Sequence, residues 1–149
     1  MKHVLNNKEQ KEIIALLLSK YNLSFSKKDK FEREDNILLI NNEPLFFYYE
    51  NKIGPTLKTI LKNNFLKKIT VDMGAVKFVV SAADIMRPGI KKIDDNIAKE
   101  EIVAIVDEMH SKPLAIGLTL FSGEEIQKMS SGKVVKNLHW VGDKVWNYH

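Results

Sequence analysis

Hydrophobic residues recur at helical spacing near the start of the chain and form unbroken runs further along. Asn7 and Gln10 resemble a capping box, and the apolar residues behind them fall on one stripe. Residues 8–21 are therefore predicted to form an amphipathic helix. The runs ILLI (37–40) and LFFYY (45–49) are rich in β-branched and aromatic residues and are separated by a short polar segment. This pattern predicts a β-hairpin.

A second, shorter helix is predicted after the hairpin. Pro55 follows a glycine and suits the first position of a helix, where a missing N–H costs nothing. The apolar residues at helical spacing behind it are Leu57, Ile60 and Leu61. Helix, hairpin and helix together predict a small N-terminal α+β domain over residues 1–66.

The pattern changes beyond this domain. A strand is predicted at 69–73, a short helix at 75–81, and an extended segment at 85–90, where proline disfavours helix in the preceding residue. The run EIVAIVD (101–107) and the later run PLAIGLTLF predict another hairpin. The first of these two runs is apolar on both faces, as expected of a strand inside a closed barrel.

The last part of the chain completes this second domain. A capping box at 122–125 predicts a helix, with Gly132 as its C-terminal cap. Residues 134–146 predict a final hairpin that turns at Gly142. About six short strands and two short helices are the proportions of a small mixed barrel over residues 67–149. The predicted fold class is α+β, a small N-terminal domain followed by a mixed β pseudo-barrel.

Composition and charge exclude several kinds of site but assign no function. The absence of cysteine excludes disulfides, cysteine-based zinc sites and thiol catalysis. The apolar run at 13–18 is too short to span a membrane and too charged around it for a signal peptide, so a cytoplasmic protein is expected. The net charge of +4 arises in residues 1–67, since residues 68–149 hold 11 Lys or Arg and 11 Asp or Glu. Overall charge therefore says little about nucleic-acid binding.

No catalytic or cofactor-binding motif is complete. SSGK at 130–133 resembles the end of a phosphate-binding loop, but Gln127 and Val134 stand where that motif needs Gly and Ser or Thr. No H-x-x-x-H pair and no G-x-S-x-G turn is present. An acid–base pair stays possible among the carboxylates of Asp72, Asp84, Asp107 and Asp143. The expectation is a protein without enzymatic activity, metal or cofactor.

The segment DMGAVKFVVSAADIMRPG (72–89) offers a binding surface instead. On a helix with about 100° between residues, three valines turn toward the barrel. Lys77, Phe78 and Ser81 are then left on the outer surface. A cation beside an aromatic ring suits RNA, because the cation neutralises phosphate and the ring stacks on an unpaired base.

The residues after this predicted helix fit the same role. Ala82 and Ala83 are small enough to let a ligand approach the backbone, and Arg87, Lys91 and Lys92 follow on the next strand. Residue types alone leave a second interpretation open. In that interpretation the aromatic ring packs into the crevice between barrel and helix, and the lysine beside it is merely solvated.

Three blocks of the sequence, taken in order, resemble a PUA domain, which is named for pseudouridine synthases and archaeosine transglycosylases. The blocks are VDMGAVKFVVSAADIMRPGI, VAIVDEMHSKPLAIGLTLFSGEEI and GKVVKNLHWVGDKVW. The resemblance runs from Ile69 to Trp146 and is to the malignant T-cell-amplified sequence family, with its archaeal and ligatin relatives. The first 64 residues are similar, more loosely, to the small domain that precedes PUA in this family.

The resemblance implies a pseudo-barrel that binds structured RNA. The implied contact surface consists of Lys77, Phe78, Ser81, Ala82, Ala83, Arg87, Pro88, Gly89 and Ile90, joined by Lys136, His139 and Trp140 on the last hairpin. One residue departs from the family, which usually has Gly where this chain has Ala82. If the loop needs a positive φ at this position, the methyl group would weaken RNA binding.

The expected function is non-catalytic RNA binding in translation, with tRNA or small-subunit rRNA as ligand and no membrane partner. The resemblance implies initiation, re-initiation or recycling on the small ribosomal subunit, and a translation-factor partner on the N-terminal domain. The alternative is an RNA-binding accessory module for tRNA or rRNA modification or processing by a separate enzyme. The enzyme would have to be separate, because the 66 upstream residues are too few for a synthase domain.

Overall fold

The computed structural model describes all 149 residues, which divide into two compact units, Met1–Gly54 and Pro55–His149. Each unit combines helix and strand, so the predicted α+β fold class is confirmed. None of the four helices is long and apolar enough to cross a membrane.

The first unit is a five-stranded sheet with one helix. Its elements are β1 (His3–Val4), α1 (Asn7–Tyr21), β2 (Phe31–Glu34), β3 (Ile37–Ile40), β4 (Glu43–Tyr49) and β5 (Lys52–Pro55). The strands lie in chain order, β1-β2-β3-β4-β5. Asn41 and Asn42 join β3 to β4 with φ angles of 52° and 69°, the left-handed conformation that two-residue hairpins require. The predicted hairpin is confirmed, and Phe46, Phe47 and Leu17 form part of the core.

Helix α1 is capped one residue earlier than the sequence suggested. The Asn6 side chain, not that of Asn7, accepts a hydrogen bond from the Glu9 N–H at 2.8 Å. The Glu9 carboxylate accepts from the Asn6 N–H at 3.1 Å in return. A carboxylate at this position also interacts favourably with the positive end of the helix dipole, which the amide of Gln10 would not do.

The second unit contains three helices and six strands. Its elements are α2 (Leu57–Lys62), β6 (Lys68–Val71), α3 (Met73–Val79), β7 (Ile85–Met86), a 3₁₀ turn (Arg87–Gly89), β8 (Ile90–Ile93), β9 (Ile102–Asp107), β10 (Pro113–Thr119), α4 (Gly123–Lys128) and β11 (Lys133–Trp140). Its hydrophobic core is built from all six strands together with α3 and α4.

The sheet of the second unit closes on itself. Its strand order is β7-β11-β10-β9-β6-β8, and β6 runs parallel to β9 while the other pairs are antiparallel. The edge strands β7 and β8 are consecutive and are joined only by the turn Arg87–Gly89. Because so short a connection brings the two edges together, the sheet curls into the predicted pseudo-barrel.

Strand β9 is buried along its whole length, as its unbroken apolar run predicted. The neighbouring strands β10 and β11 approach so closely that Gly117 is required. A Cβ atom there would lie 2.5 Å from Cγ1 of Val135. The register of the two strands shifts between Ile116 and Gly117, at the same place.

Helix α2 begins later than predicted. Pro55 ends strand β5, and Thr56 is the N-cap of a helix that starts at Leu57. Leu57 and Ile60 are buried as expected, but Leu61 is 39% exposed. A helix of under two turns has a narrow inward face, so the third apolar residue is left outside.

Three predictions for the C-terminal part of the chain are wrong in detail. Arg87–Gly89 is a 3₁₀ turn and not extended backbone. Helix α4 has the predicted capping box but ends before Gly132, which lies in the turn preceding β11 with a φ of 93°. No strand follows Gly142, because the Asp143 carboxylate accepts a hydrogen bond from the Trp146 N–H and folds this segment into turns.

The two compact units do not coincide with the domains 1–66 and 67–149 expected from the sequence. Helix α2 packs against β10 and belongs to the second unit, which begins at Pro55. As a division into independently folding domains, the boundary after residue 66 stays a prediction.

Candidate RNA-binding site

Helix α3 presents the outer surface that its spacing predicted. Asp72 is its N-cap, with Oδ1 accepting from the Ala75 N–H at 2.8 Å. Val79 is buried, while Lys77 and Phe78 are exposed. The Phe78 side chain is 58% exposed, so it doesn't fill a crevice between barrel and helix. The Lys77 Nζ lies 5.2 Å from the centre of the Phe78 ring, within the range of a cation–π interaction.

An open groove of about 440 Å³ lies beside this helix. It brings together four of the predicted contact residues, Phe78, Ala83, Pro88 and Gly89. The exposed ring and the small side chains make most of its lining apolar. We name this feature the α3 groove.

The loop after α3 has an unusual backbone. Ala82 has a φ of 81°, in the left-handed region that favours glycine. The loop is held to the helix by hydrogen bonds from the Ala82 N–H to the Val79 carbonyl at 3.3 Å and from the Ala83 N–H to the Phe78 carbonyl at 3.0 Å. Ser81 and Ala82 are exposed beside the α3 groove and do not line it. The Ala82 methyl group was expected to matter if this position has a positive φ, and it does.

Arg87 has a structural role in addition to its predicted one. Its Nε donates to the Ile126 carbonyl at 2.7 Å, and its Nη1 is 3.3 Å from the Ile90 carbonyl. The half-buried guanidinium thus ties the 3₁₀ turn to α4. Arg87 also lines a second, smaller groove of about 180 Å³ with the exposed Lys91 and Lys92. Ile90 also lines this smaller groove, but it is only 7% exposed and offers a ligand little surface.

The three contact residues predicted on β11 differ in how exposed they are. Lys136 is half-buried, and Trp140 is half-buried and packs against the hydrophobic core. His139 is completely buried, so the expectation that its side chain joins an RNA-binding surface is wrong. Strand alternation explains the difference, because His139 lies on the same face of β11 as the buried Val135.

His139 instead links distant parts of the second unit. Its Nε2 accepts a hydrogen bond from the Leu57 N–H at 3.0 Å, so the ring proton is on Nδ1, which lies 2.9 Å from both oxygens of Asp143. Burial raises the pKa of the Asp143 carboxyl, but the hydrogen bonds from His139 and from the backbone N–H groups of Trp146 and Trp140 outweigh it. The pKa of Asp143 therefore lies below its usual value.

Residues outside the predicted contact surface also shape the α3 groove. Gly74 and Met86 line the groove, and Met86 is 50% exposed. Asn137 lies behind it on β11 and donates from Nδ2 to the carbonyls of Val79 and Ala83. The period of two along β11 was the signal for Asn137, because it places this polar residue on the inward face with Val135.

The four carboxylates that could have formed an acid–base pair serve separate local purposes. Asp72 caps α3, Asp84 accepts from the Asn137 N–H, and Asp143 binds His139. At Asp107 burial raises the pKa, but hydrogen bonds from three backbone N–H groups of the β9–β10 turn outweigh it and lower the pKa. No three of the His, Asp and Glu side chains come close enough together to hold a metal ion.

Two family models match the chain and account for most of it. One is described as a PUA domain and matches residues 67–141, and the other is described as a domain of unknown function (DUF1947) and matches residues 1–63. Half of the chain therefore falls within the PUA match, and most of the remainder falls within the other match.

Three relatives extend the comparison to whole chains. An uncharacterised protein of Methanocaldococcus jannaschii is 42% identical, over 89% of this chain and 80% of its own length. Translation machinery-associated protein 20 of Schizosaccharomyces pombe is 32% identical, over 91% of this chain and 77% of its own. Malignant T-cell-amplified sequence 1 of Rattus norvegicus is 38% identical, over 74% of this chain and 64% of its own.

Solved structures agree with these relatives. A hypothetical protein from Pyrococcus horikoshii has a TM-score of 0.82 at 32% identity, covering 98% of both chains. A chain of the archaeal box H/ACA sRNP Nop10–Cbf5 complex has a TM-score of 0.52 at 29% identity, covering 63% of this chain and 29% of that one. The chain thus belongs to the PUA-domain family that includes the malignant T-cell-amplified sequence proteins and translation machinery-associated protein 20.

Proposed function

We propose that this protein is a non-catalytic RNA-binding protein of the translation apparatus, and that RNA binds at the α3 groove. The observation that carries the proposal is Phe78, a large aromatic ring that is 58% exposed at the groove next to the exposed Lys77. Met86, which is 50% exposed, lines the same groove, so the apolar surface open to water there is contiguous. A base stacked on the ring would cover it.

Charge supports a particular arrangement of the RNA. The α3 groove is lined mainly by apolar groups, and its two carboxylates, Asp72 and Asp84, disfavour phosphate there. The cations lie outside it, Lys77 on α3 and Lys91 and Lys92 on β8. We infer that an unpaired base enters the groove while the flanking phosphates contact these lysines.

The family supports a role in translation. One relative is named for its association with the translation machinery. We infer from this that the ligand is tRNA or small-subunit rRNA, in initiation, re-initiation or recycling, and that the protein acts in the cytoplasm. A translation-factor partner bound to the N-terminal domain belongs to the same proposal.

One observation favours a second candidate function. The structural likeness to a chain of the box H/ACA complex favours an accessory RNA-binding module in tRNA or rRNA modification or processing. The likeness covers 63% of this chain and 29% of that one. Co-sedimentation with small ribosomal subunits is expected under the first proposal and not under the second.

The binding site can be tested by titrating tRNA, with and without its 3′ end, at several salt concentrations. Lys77→Glu removes one phosphate contact and should reduce the slope of log K against log salt by roughly one unit. Phe78→Ala should weaken binding by about 1–3 kcal/mol, the range for loss of one stacked base, without changing that slope. The two variants thus separate the phosphate contact from the base contact.

Lys99→Glu is the matched control, because Lys99 is exposed, lines neither groove and undergoes the same change of charge. It should bind tRNA with the wild-type salt slope. Arg87→Glu is a poorer probe, since it would also release the carbonyls of Ile126 and Ile90. Equal binding by wild type, Lys77→Glu and Phe78→Ala would contradict the site.

A further inference from the structure

The loop between α3 and β7 is anchored from behind by one side chain, that of Asn137. Its Nδ2 donates to the carbonyl of Val79, the last residue of α3, at 2.9 Å and to the carbonyl of Ala83 at 3.0 Å. Its own backbone N–H donates to Oδ1 of Asp84 at 2.8 Å. Three hydrogen bonds from a single residue therefore hold both ends of the loop that contains Ala82.

The loop needs such an anchor. Ala82 has a φ of 81°, a conformation that is unfavourable for L-residues other than Asn and Asp. The N–H groups of Ala82 and Ala83 turn back to carbonyls of α3, which fixes only one side of the loop. The carbonyls of Val79 and Ala83 are fixed by Asn137 from the other side.

Asn137 is also unusual as a buried residue. It is only 8% exposed, and its Oδ1 is buried without a hydrogen bond from the protein. The unpaired oxygen offsets part of what the two donated hydrogen bonds contribute to stability. Both of its side-chain N–H groups donate to the loop, so the role that the geometry supports is to hold the loop in place.

We propose that Asn137 is a positioning residue for RNA recognition: it does not touch the RNA but fixes the left-handed loop that forms one wall of the α3 groove. Ala83 and Asp84 line that groove directly, and Val79 lines it from the helix. The Asp84 carboxylate is also paired with Lys133 at 3.4 Å, which keeps it at the loop. This inference rests on the proposed function, because it assigns a role at the same groove.

The test compares Asn137→Ala with the wild type in two measurements. The first is amide hydrogen exchange of residues 81–84 in the free protein, which needs no RNA. It should become faster by at least about tenfold as the loop loses its anchor. The second is tRNA affinity at several salt concentrations. Affinity should fall by about tenfold while the salt slope stays unchanged, since no phosphate contact is removed.

Thr119→Val is the matched control for a general loss of stability. Thr119 is buried on β10 and donates to the Ala98 carbonyl at 2.7 Å, away from the α3 groove. This variant should leave both exchange at 81–84 and tRNA affinity at wild-type values. If Asn137→Ala does not fold, Asn137→Ser retains a small donor, and the same two losses are expected in weaker form.

Two results would overturn the inference. One is protection of residues 81–84 in Asn137→Ala equal to that in Thr119→Val. The other is a loosened loop with unchanged tRNA affinity. A wild-type protein that binds no RNA would overturn the proposed function and with it the recognition role, whereas the exchange measurement would still report on the loop alone.

Discussion

Ala82 shows how much one methyl group can matter where the backbone is left-handed. Its φ of 81° places the Cβ atom close to the following carbonyl oxygen, a contact that costs an L-residue about 1–2 kcal/mol. The helical spacing of α3 was enough to predict that Lys77 and Phe78 face outward, but no spacing predicts the sign of φ in a loop.

Ala82→Gly should raise the free energy of unfolding. The substitution removes the left-handed strain, at a cost of about 0.5–1 kcal/mol for the more flexible unfolded chain. A net stabilisation of about 0.5 kcal/mol is therefore expected in urea unfolding. RNA binding should be equal or tighter.

Ala83→Gly provides the comparison, because Ala83 is not at a positive φ. At this position glycine only increases the conformational entropy that the chain loses on folding, so this variant should be less stable by about 0.5–1 kcal/mol. A loss of stability in Ala82→Gly as large as that in Ala83→Gly would show that the left-handed conformation is not strained. A large loss of RNA binding in Ala82→Gly would show that the loop is not used as proposed.

At the scale of elements, the end of β11 is held by a carboxylate rather than by another strand. Asp143 accepts from the N–H groups of Trp140 and Trp146 at 3.0 Å and 2.8 Å and binds the His139 ring. The sequence predicted a hairpin because Gly142 and the apolar residues after it fit one. The hairpin fails because this carboxylate captures the amides that a second strand would need.

Asp143→Asn should change how stability depends on pH. The pKa of Asp143 is lowered below its ordinary 3.8 in the folded protein, so its contribution is fully present above the pKa of the unfolded chain. That contribution is lost as pH falls through the lower, folded pKa. Removing the charged acceptor should cost about 1–3 kcal/mol near pH 7.

Urea unfolding at a series of pH values between neutral and strongly acidic checks this expectation. The difference between wild type and Asp143→Asn should be largest near neutral pH and should shrink in acid. Asp95→Asn, at an exposed position in a turn, should differ little from the wild type throughout. A difference that is constant with pH would contradict the assigned role of the Asp143 charge.

At the scale of the whole molecule, the excess positive charge belongs to the second unit. Residues 1–54 hold 9 Lys or Arg and 8 Asp or Glu, while residues 55–149 hold 14 and 11. The sequence assigned the excess to the N-terminal half because the charges were divided after residue 67, whereas the second unit begins at Pro55. Three lysines change sides, Lys58, Lys62 and Lys67. The Lys58 side chain lies near the Trp146 ring, and the Lys67 side chain pairs with Glu101.

Lys28→Glu should therefore leave the salt dependence of tRNA binding unchanged. Lys28 is exposed in the first unit, whose net charge is small. Lys92→Glu, beside the smaller groove of the second unit, should reduce the salt slope by roughly one unit. A reduction of about one unit in Lys28→Glu would instead show that the first unit contacts RNA phosphates.

The division between what the sequence predicted and what it did not follows the range of the interactions. The β3–β4 hairpin, the N-terminal capping box of α4 and the outward face of α3 depend on residues within one or two turns of each other, and all were predictable. The burial of His139 depends on the N–H of Leu57, far away in the sequence. The shape of the α3 groove depends on Asn137, which lies beyond β9 and β10. Such pairings have no local signature.

The position of β11 in the sheet has a consequence for the order of events during synthesis. This strand lies between β7 and β10, and it carries the residue that anchors the loop at Ala82. The loop is made about fifty residues before its anchor, which at about 5–20 residues per second is an interval of several seconds. During that interval β7 has no partner in the sheet. The α3 groove should therefore be unable to bind RNA until β11 has emerged from the ribosome.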